Sequence, residues 1–88
     1  MIYKLKGRFY IRNKILQILK ENVFELLNKD IDENTKLIST GYLESFDVIN
    51  LITLFEKEFN IDIKLEEIEL SSFETVIAME ELIKYYVK

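Results

Sequence analysis

The chain of 88 residues contains no histidine and no cysteine. Those absences remove the commonest general base, the commonest metal ligand, the thiolate nucleophile and the disulfide. Chemistry is left to hydroxyls, carboxylates and amines. Among them Ser45 stands apart, because it follows Glu44 and opens an apolar run that begins Phe46-Asp47-Val48. A serine at that place has two readings. It is a preferred helix cap, and capping alone accounts for most such serines. It is also a place to attach a group, since a phosphodiester there would sit near free backbone N–H groups and the positive end of the helix dipole. Both can hold together.

The other polar constellations carry less. Asp30, Asp32 and Asn34 imitate the start of a calcium loop, but the sixth position is Thr35 where glycine is needed, and the twelfth is Gly41 where a bidentate Glu belongs. An acidic loop describes the stretch better. The pairs Glu66–Glu67 and Glu80–Glu81 read as solvated faces of helical segments, with no nucleophile or apolar pocket beside them to raise a carboxyl pKa. Gly7 and Gly41 are the two glycines, so no phosphate-cradling loop exists, and no basic stripe is interleaved with aromatics. The inventory favours a binding or carrier role over an enzyme.

Length allows one domain with a modest core. The apolar runs fall far short of the roughly 20 residues of a spanning helix. Lys4, Lys6 and Arg8 interrupt any hydrophobic leader, so a soluble cytoplasmic protein without stable membrane insertion is expected. Charge is divided unevenly. Residues 1–20 hold six bases and no acid, while the rest holds six bases against sixteen acids, giving +6 and −10 within a net −4. The acidic body repels nucleic acid and suits a partner with a basic docking surface. The basic segment reads as a solvated helix face, with membrane or phosphate contact the lesser alternative.

These residues need elements to hold them. Ile11, Ile15, Ile18 or Leu19, and Leu26 predict a helix from Arg8 or Asn13 to Leu27. Residues 1–7 are ambiguous between a strand, a frayed end and a helix extension, with Gly7 a place to break. The stretch Asn28–Glu44 reads as a long loop pinned by Leu37, Ile38 and Leu43. Ser45 then opens a helix over Phe46–Phe59, with Val48, Leu51, Ile52, Phe55 and Phe59 at helical spacing and Ile49 and Leu54 widening the stripe. A short helix is expected near Leu65–Leu70. Ser71-x-x-Glu74 fits a capping box for a last helix over Phe73–Tyr86, with Phe73, Val76, Ile77, Ile83 and Tyr86 inward. The prediction is an all-α, four-helix domain over 1–88, with 1–12 a basic arm or helix start and 13–87 the core. The alternative is an α+β domain in which Ile61–Leu65 pairs with residues 1–6.

The segment from Leu37 to Ile63 resembles the acyl carrier protein family. Its signature is acid, Ser, apolar, Asp, here Glu44-Ser45-Phe46-Asp47, followed by an apolar helix closing in E-x-x-F and I-x-I. The helix order, the long first loop and the S-x-F-x-T approach to the last helix (Ser71, Phe73, Thr75) agree, and the resemblance covers Asn13 to Val87.

The resemblance implies that Ser45 accepts 4′-phosphopantetheine from coenzyme A through a phosphopantetheinyl transferase, which gives a cysteine-free chain its thiol. It implies a docking surface of Glu44, Phe46, Asp47, Ile49 and Glu56, the acids steering basic partners and the apolar pair making contact. Departures are Glu44 for the usual Asp, Asn50 for a common Glu, and Gly41 four residues before the serine. That last spacing looks like D-alanyl and other stand-alone aminoacyl carriers, implying cargo loaded by an adenylating acyl or aminoacyl ligase and passed to downstream acyl-transferring enzymes. A monomer suits such a shuttle. The competing reading is a non-catalytic helical interaction module in which Ser45 is only a cap.

Overall fold

The computed structural model describes residues 2–87, with side chains from residue 9. It is all-helical, with no strand among the described residues. Three α-helices, α1 (Ile2–Asn22), α2 (Ser45–Phe59) and α3 (Val76–Tyr86), are joined by a long loop and by short 3₁₀ turns at Phe24–Leu26, Leu65–Glu67 and Leu70–Phe73.

Helix α1 runs unbroken through Gly7, so residues 2–7 of the ambiguous stretch are its N-terminal turns, and Met1 lies outside the described residues. The ribbon alternative is thereby overturned. Ile61–Leu65 has no strand partner, and the N–H of the buried Ile63 donates instead to Oε2 of Glu56 at 2.9 Å. The helix also stops at Asn22, short of the expected Leu27. The Asn22 side chain donates to the Ile18 carbonyl at 2.9 Å, and Val23 turns extended at φ −110°, ψ 112°. The 3₁₀ turn that follows swings Leu26 into the core.

Between α2 and α3, where a short helix is expected, the chain forms the two 3₁₀ turns. Ile68 is extended at φ −106°, ψ 157°, which interrupts the helical path between them. The expected Ser71–Glu74 box does not form, because Ser71 lies inside the second turn. Thr75 caps α3 instead, its hydroxyl accepting the N–H of Ala78 at 3.1 Å. Of the residues expected inward on α3, Phe73, Val76 and Ile83 are buried, Tyr86 is half-buried, and Ile77 is exposed.

The core joins Ile11, Ile15 and Leu19 of α1 to Leu51, Phe55 and Phe59 of α2 and Val76, Met79 and Ile83 of α3. Phe55 is its centre, stacked on Phe73 at 6.3 Å between centroids and meeting Phe59 edge-on at 6.2 Å. Leu37 and Leu43 enter from the long loop, fully buried as expected of pins.

Lys14 Nζ lies 3.6 Å from Glu58 Oε2, and Asn22 shares a surface cleft with Asn50 and Thr53, so α1 runs antiparallel to α2. Tyr85 and Tyr86 at the end of α3 line another cleft with Asn60 and Lys64 beyond α2, so α2 and α3 run parallel. Ser45 therefore lies at the end of the bundle where α2 begins, away from the N-terminus of α1.

Candidate functional site

Ser45 is the first residue of α2, and the capping position belongs to Glu44. This corrects the reading of the serine as the helix cap. Glu44 is extended at φ −112°, ψ 172°, its carbonyl accepts the N–H of Val48 at 3.1 Å, and its own N–H donates to Oδ2 of Asp47 at 3.0 Å. The acids on either side of Ser45 thus build the helix start. The Ser45 hydroxyl is exposed and has no hydrogen-bond partner among the described residues.

The loop delivers the serine through a relay of short bonds. Leu43 is buried, and its N–H donates to the Leu37 carbonyl at 2.8 Å. The Gly41 N–H donates to the Ile38 carbonyl at 3.0 Å, closing a turn in which Gly41 takes φ +86°. A Cβ at Gly41 would meet nothing within 4 Å, so the turn needs glycine for its backbone angle alone. Earlier in the loop, Asp32 Oδ1 accepts the Asn34 N–H at 2.8 Å and the Thr35 hydroxyl at 3.2 Å, which uses the calcium-like stretch as a local turn.

Glu74 ties this loop to α3. Its Oε1 accepts the N–H groups of Ile38 at 2.8 Å and Ser39 at 3.0 Å, and its Oε2 accepts the Ser39 hydroxyl at 2.6 Å. The Ser39 hydroxyl and N–H hold the Glu74 carboxyl below its ordinary range, against the opposing effect of burial and with lesser help from the Ile38 N–H and the nearby Lys36. Nothing in the sequence singled out this contact.

The residues expected to dock partners divide. Phe46 is 71% exposed and Ile49 60%, flanking Ser45 with the exposed Glu44, while Asp47 is half-buried. Glu56 lies about 16 Å from Ser45 along the helix axis and is engaged with Ile63. Beside Ser45 an open groove of about 220 Å³ runs between α2 and the 3₁₀ turns, floored by Val48 and Ile52 and walled by Ile49, Leu65, Ile68 and Leu70, with Glu69 the single charged residue. The wall from residues 65–70 is not legible in the sequence, because it depends on how the turns fold back. On the other flank, Tyr42 lines a cleft with the exposed Phe24 and Leu27, and Lys29 Nζ lies 5.6 Å from the Tyr42 ring centroid.

A free hydroxyl at the first position of a 15-residue helix fits attachment of an anionic group. The unpaired N–H groups of the first turn and the helix dipole favour the negative charge, and the groove leaves room for an attached arm.

Comparison with known proteins covers most of the chain. The family described as "Phosphopantetheine attachment site" matches residues 10–83. An acyl carrier protein of Buchnera aphidicola subsp. Baizongia pistaciae is 35% identical over 78 residues, covering 88% of this chain and 95% of that protein. Aminoacyl carrier protein 1 of Bradyrhizobium diazoefficiens is 31% identical over 74 residues, covering 83% of this chain and 81% of that protein. No solved structure matches the chain.

Proposed function

We propose that this chain, which belongs to the acyl carrier protein family, carries its phosphopantetheine on Ser45. Membership makes it a carrier of acyl groups on a covalently attached 4′-phosphopantetheine arm, and not an enzyme. The choice of Ser45 rests on one observation above the others: its hydroxyl is exposed, unpaired and at the first position of α2. When attached, the arm supplies the thiol that a chain without cysteine lacks and so holds cargo as a thioester. The chain's own part is to hold the hydroxyl clear of the protein, accommodate the phosphodiester at the helix N-terminus, and offer a docking face.

That face is formed by Glu44, Phe46, Asp47 and Ile49, with acid flanking exposed apolar side chains. Glu56 joins it only through a half-buried carboxylate already bonded to Ile63. Carriers of this family work with partner enzymes, and charge steers such transient encounters. We infer a phosphopantetheinyl transferase, an adenylating ligase and downstream acyl-transferring enzymes as partners. The likeness to an aminoacyl carrier and the G-Y-L-E-S spacing favour an aminoacyl or specialised acyl cargo. The two 3₁₀ turns over residues 65–73 stand in place of a short third helix in a four-helix bundle. No helix among the described residues is long and apolar enough to cross a membrane; a monomer in the cytoplasm, where coenzyme A is at hand, completes the reading.

Intact mass after incubation with coenzyme A and a broad-specificity transferase tests the attachment, with Ser45→Ala alongside. One adduct in the parent and none in the variant is expected. An equal adduct in both would overturn Ser45. A folded parent that gains nothing, under conditions that modify a known carrier, would favour the interaction module. Incubating the loaded form with ATP, candidate acids and ligases then tests the cargo; loading only by fatty-acid enzymes would contradict the aminoacyl reading.

A further inference from the structure

We propose that Glu74 is a positioning residue for Ser45, holding the loop that presents the serine in the form a modifying enzyme recognises. The inference rests on the reading of Ser45 as the attachment site. Glu74 directly precedes Thr75, the cap of α3, yet its carboxylate does nothing for that helix. All three of its short bonds go to Ile38 and Ser39, more than thirty residues earlier in the chain. Its backbone adds a fourth tie, the carbonyl accepting the Leu37 N–H at 2.8 Å.

From these anchors two bonds run forward to the site. The Ile38 carbonyl receives Gly41 at 3.0 Å, and the Leu37 carbonyl receives Leu43 at 2.8 Å. Leu43 is buried and stands two residues before Ser45. The start of α2 is thus registered to the start of α3 by way of the loop, and Glu74 is the side chain that fixes the loop's middle. The turn it secures contains Gly41 at φ +86°, a conformation that loses little on opening unless something holds it. Removing the carboxylate lets the turn sample other arrangements. A partner that binds one arrangement then sees its apparent affinity fall by the fraction remaining competent.

The test is the kinetics of coenzyme A-dependent modification, with amide exchange of residues 37–43 measured by NMR. Glu74→Ala is expected to raise the KM for the carrier about fivefold with kcat unchanged, as the competent fraction falls, and to speed exchange at Leu43. Glu74→Gln restores the parental KM, because its carbonyl oxygen can accept both N–H groups and its amide can donate to the Ser39 hydroxyl. Ser39→Ala removes one surface bond, leaves the fold intact and gives a smaller rise than Glu74→Ala. A parental KM in a folded Glu74→Ala variant overturns the proposal. So does an equal rise in the Ala and Gln variants, which would assign the effect to lost charge. An unmodified parent would overturn the Ser45 reading, and Leu43 exchange would then decide the clamp: faster in Glu74→Ala supports it, unchanged overturns it.

Discussion

Arg12 of α1 places a guanidinium nitrogen 3.1 Å from Oε1 of Glu80 in α3, a carboxylate whose side chain is 2% exposed. The pair crosses the bundle, and Arg12 also lies 3.9 Å from Glu33 of the long loop, so one side chain touches three parts of the chain. The burial is imperfectly compensated. Arg12 Nε and Glu80 Oε2 are both buried without a hydrogen-bond partner among the described residues. Desolvation of such a pair offsets most of its attraction, so the intact pair adds little net stability. Arg12→Ala is expected to destabilise the fold by about 3–5 kcal/mol, since it strands the buried Glu80 charge. Replacing both residues with Met is expected to cost little or to stabilise. Urea unfolding of the parent, the single and the double variant checks this; a single variant within about 0.5 kcal/mol of the parent, the range of ordinary surface changes, would contradict it.

Phe55 carries the aromatic centre, with Phe59 and Phe73 against its ring and no exposed surface. Truncation leaves a cavity that these rings and helices can only partly close. Phe55→Ala is expected to cost about 3–5 kcal/mol, a large share of the stability of so small a domain. Thermal and urea unfolding measure it directly.

Gly41 makes a sharper backbone prediction. The space around it is open, so Gly41→Ala meets no clash and bears only the cost of φ +86°. That cost is about 1–2 kcal/mol. Gly41→Asn, whose side chain tolerates the left-handed region, is expected to lose less. Equal losses in the two variants would place the cause outside the backbone angle.

Glu74 sets a pH dependence. Its folded carboxyl titrates below the ordinary value of 4.5, chiefly through the hydroxyl and N–H of Ser39. A depressed folded value means that the bonds favour the ionised form. Their contribution is fully present above 4.5 and is lost as pH falls through the lower, folded value. Stability curves of the parent and Glu74→Gln are therefore expected to run parallel above pH 4.5 and to draw together between 4.5 and the lower, folded value. Curves that stay parallel to the acid end would contradict the assignment.

Much of this was legible in the sequence. Helix α2 announced itself because Val48, Leu51, Ile52, Phe55 and Phe59 follow helical spacing and all are buried. Leu37 and Leu43 were readable as loop pins for the same reason, being apolar residues in a polar stretch. What escaped reading depends on distant partners. Glu80 looked like a solvated acid, and only Arg12, 68 residues away, makes its burial tolerable. Glu74 looked like half of a local capping box, and its carboxylate goes to Ser39 instead. The early stop of α1 is set by Asn22 bonding back to Ile18 and by Val23 turning extended, which apolar spacing through Leu26 conceals.

Attachment of the carrier arm at Ser45 is best checked by locating the arm on the chain. After modification with coenzyme A and a transferase, the protein would be digested and its peptides sequenced by tandem mass spectrometry. A single modified peptide with the phosphodiester on Ser45 is expected. A modified Ser39, Ser71 or Ser72, or an unmodified Ser45 in protein whose intact mass has risen, would contradict it.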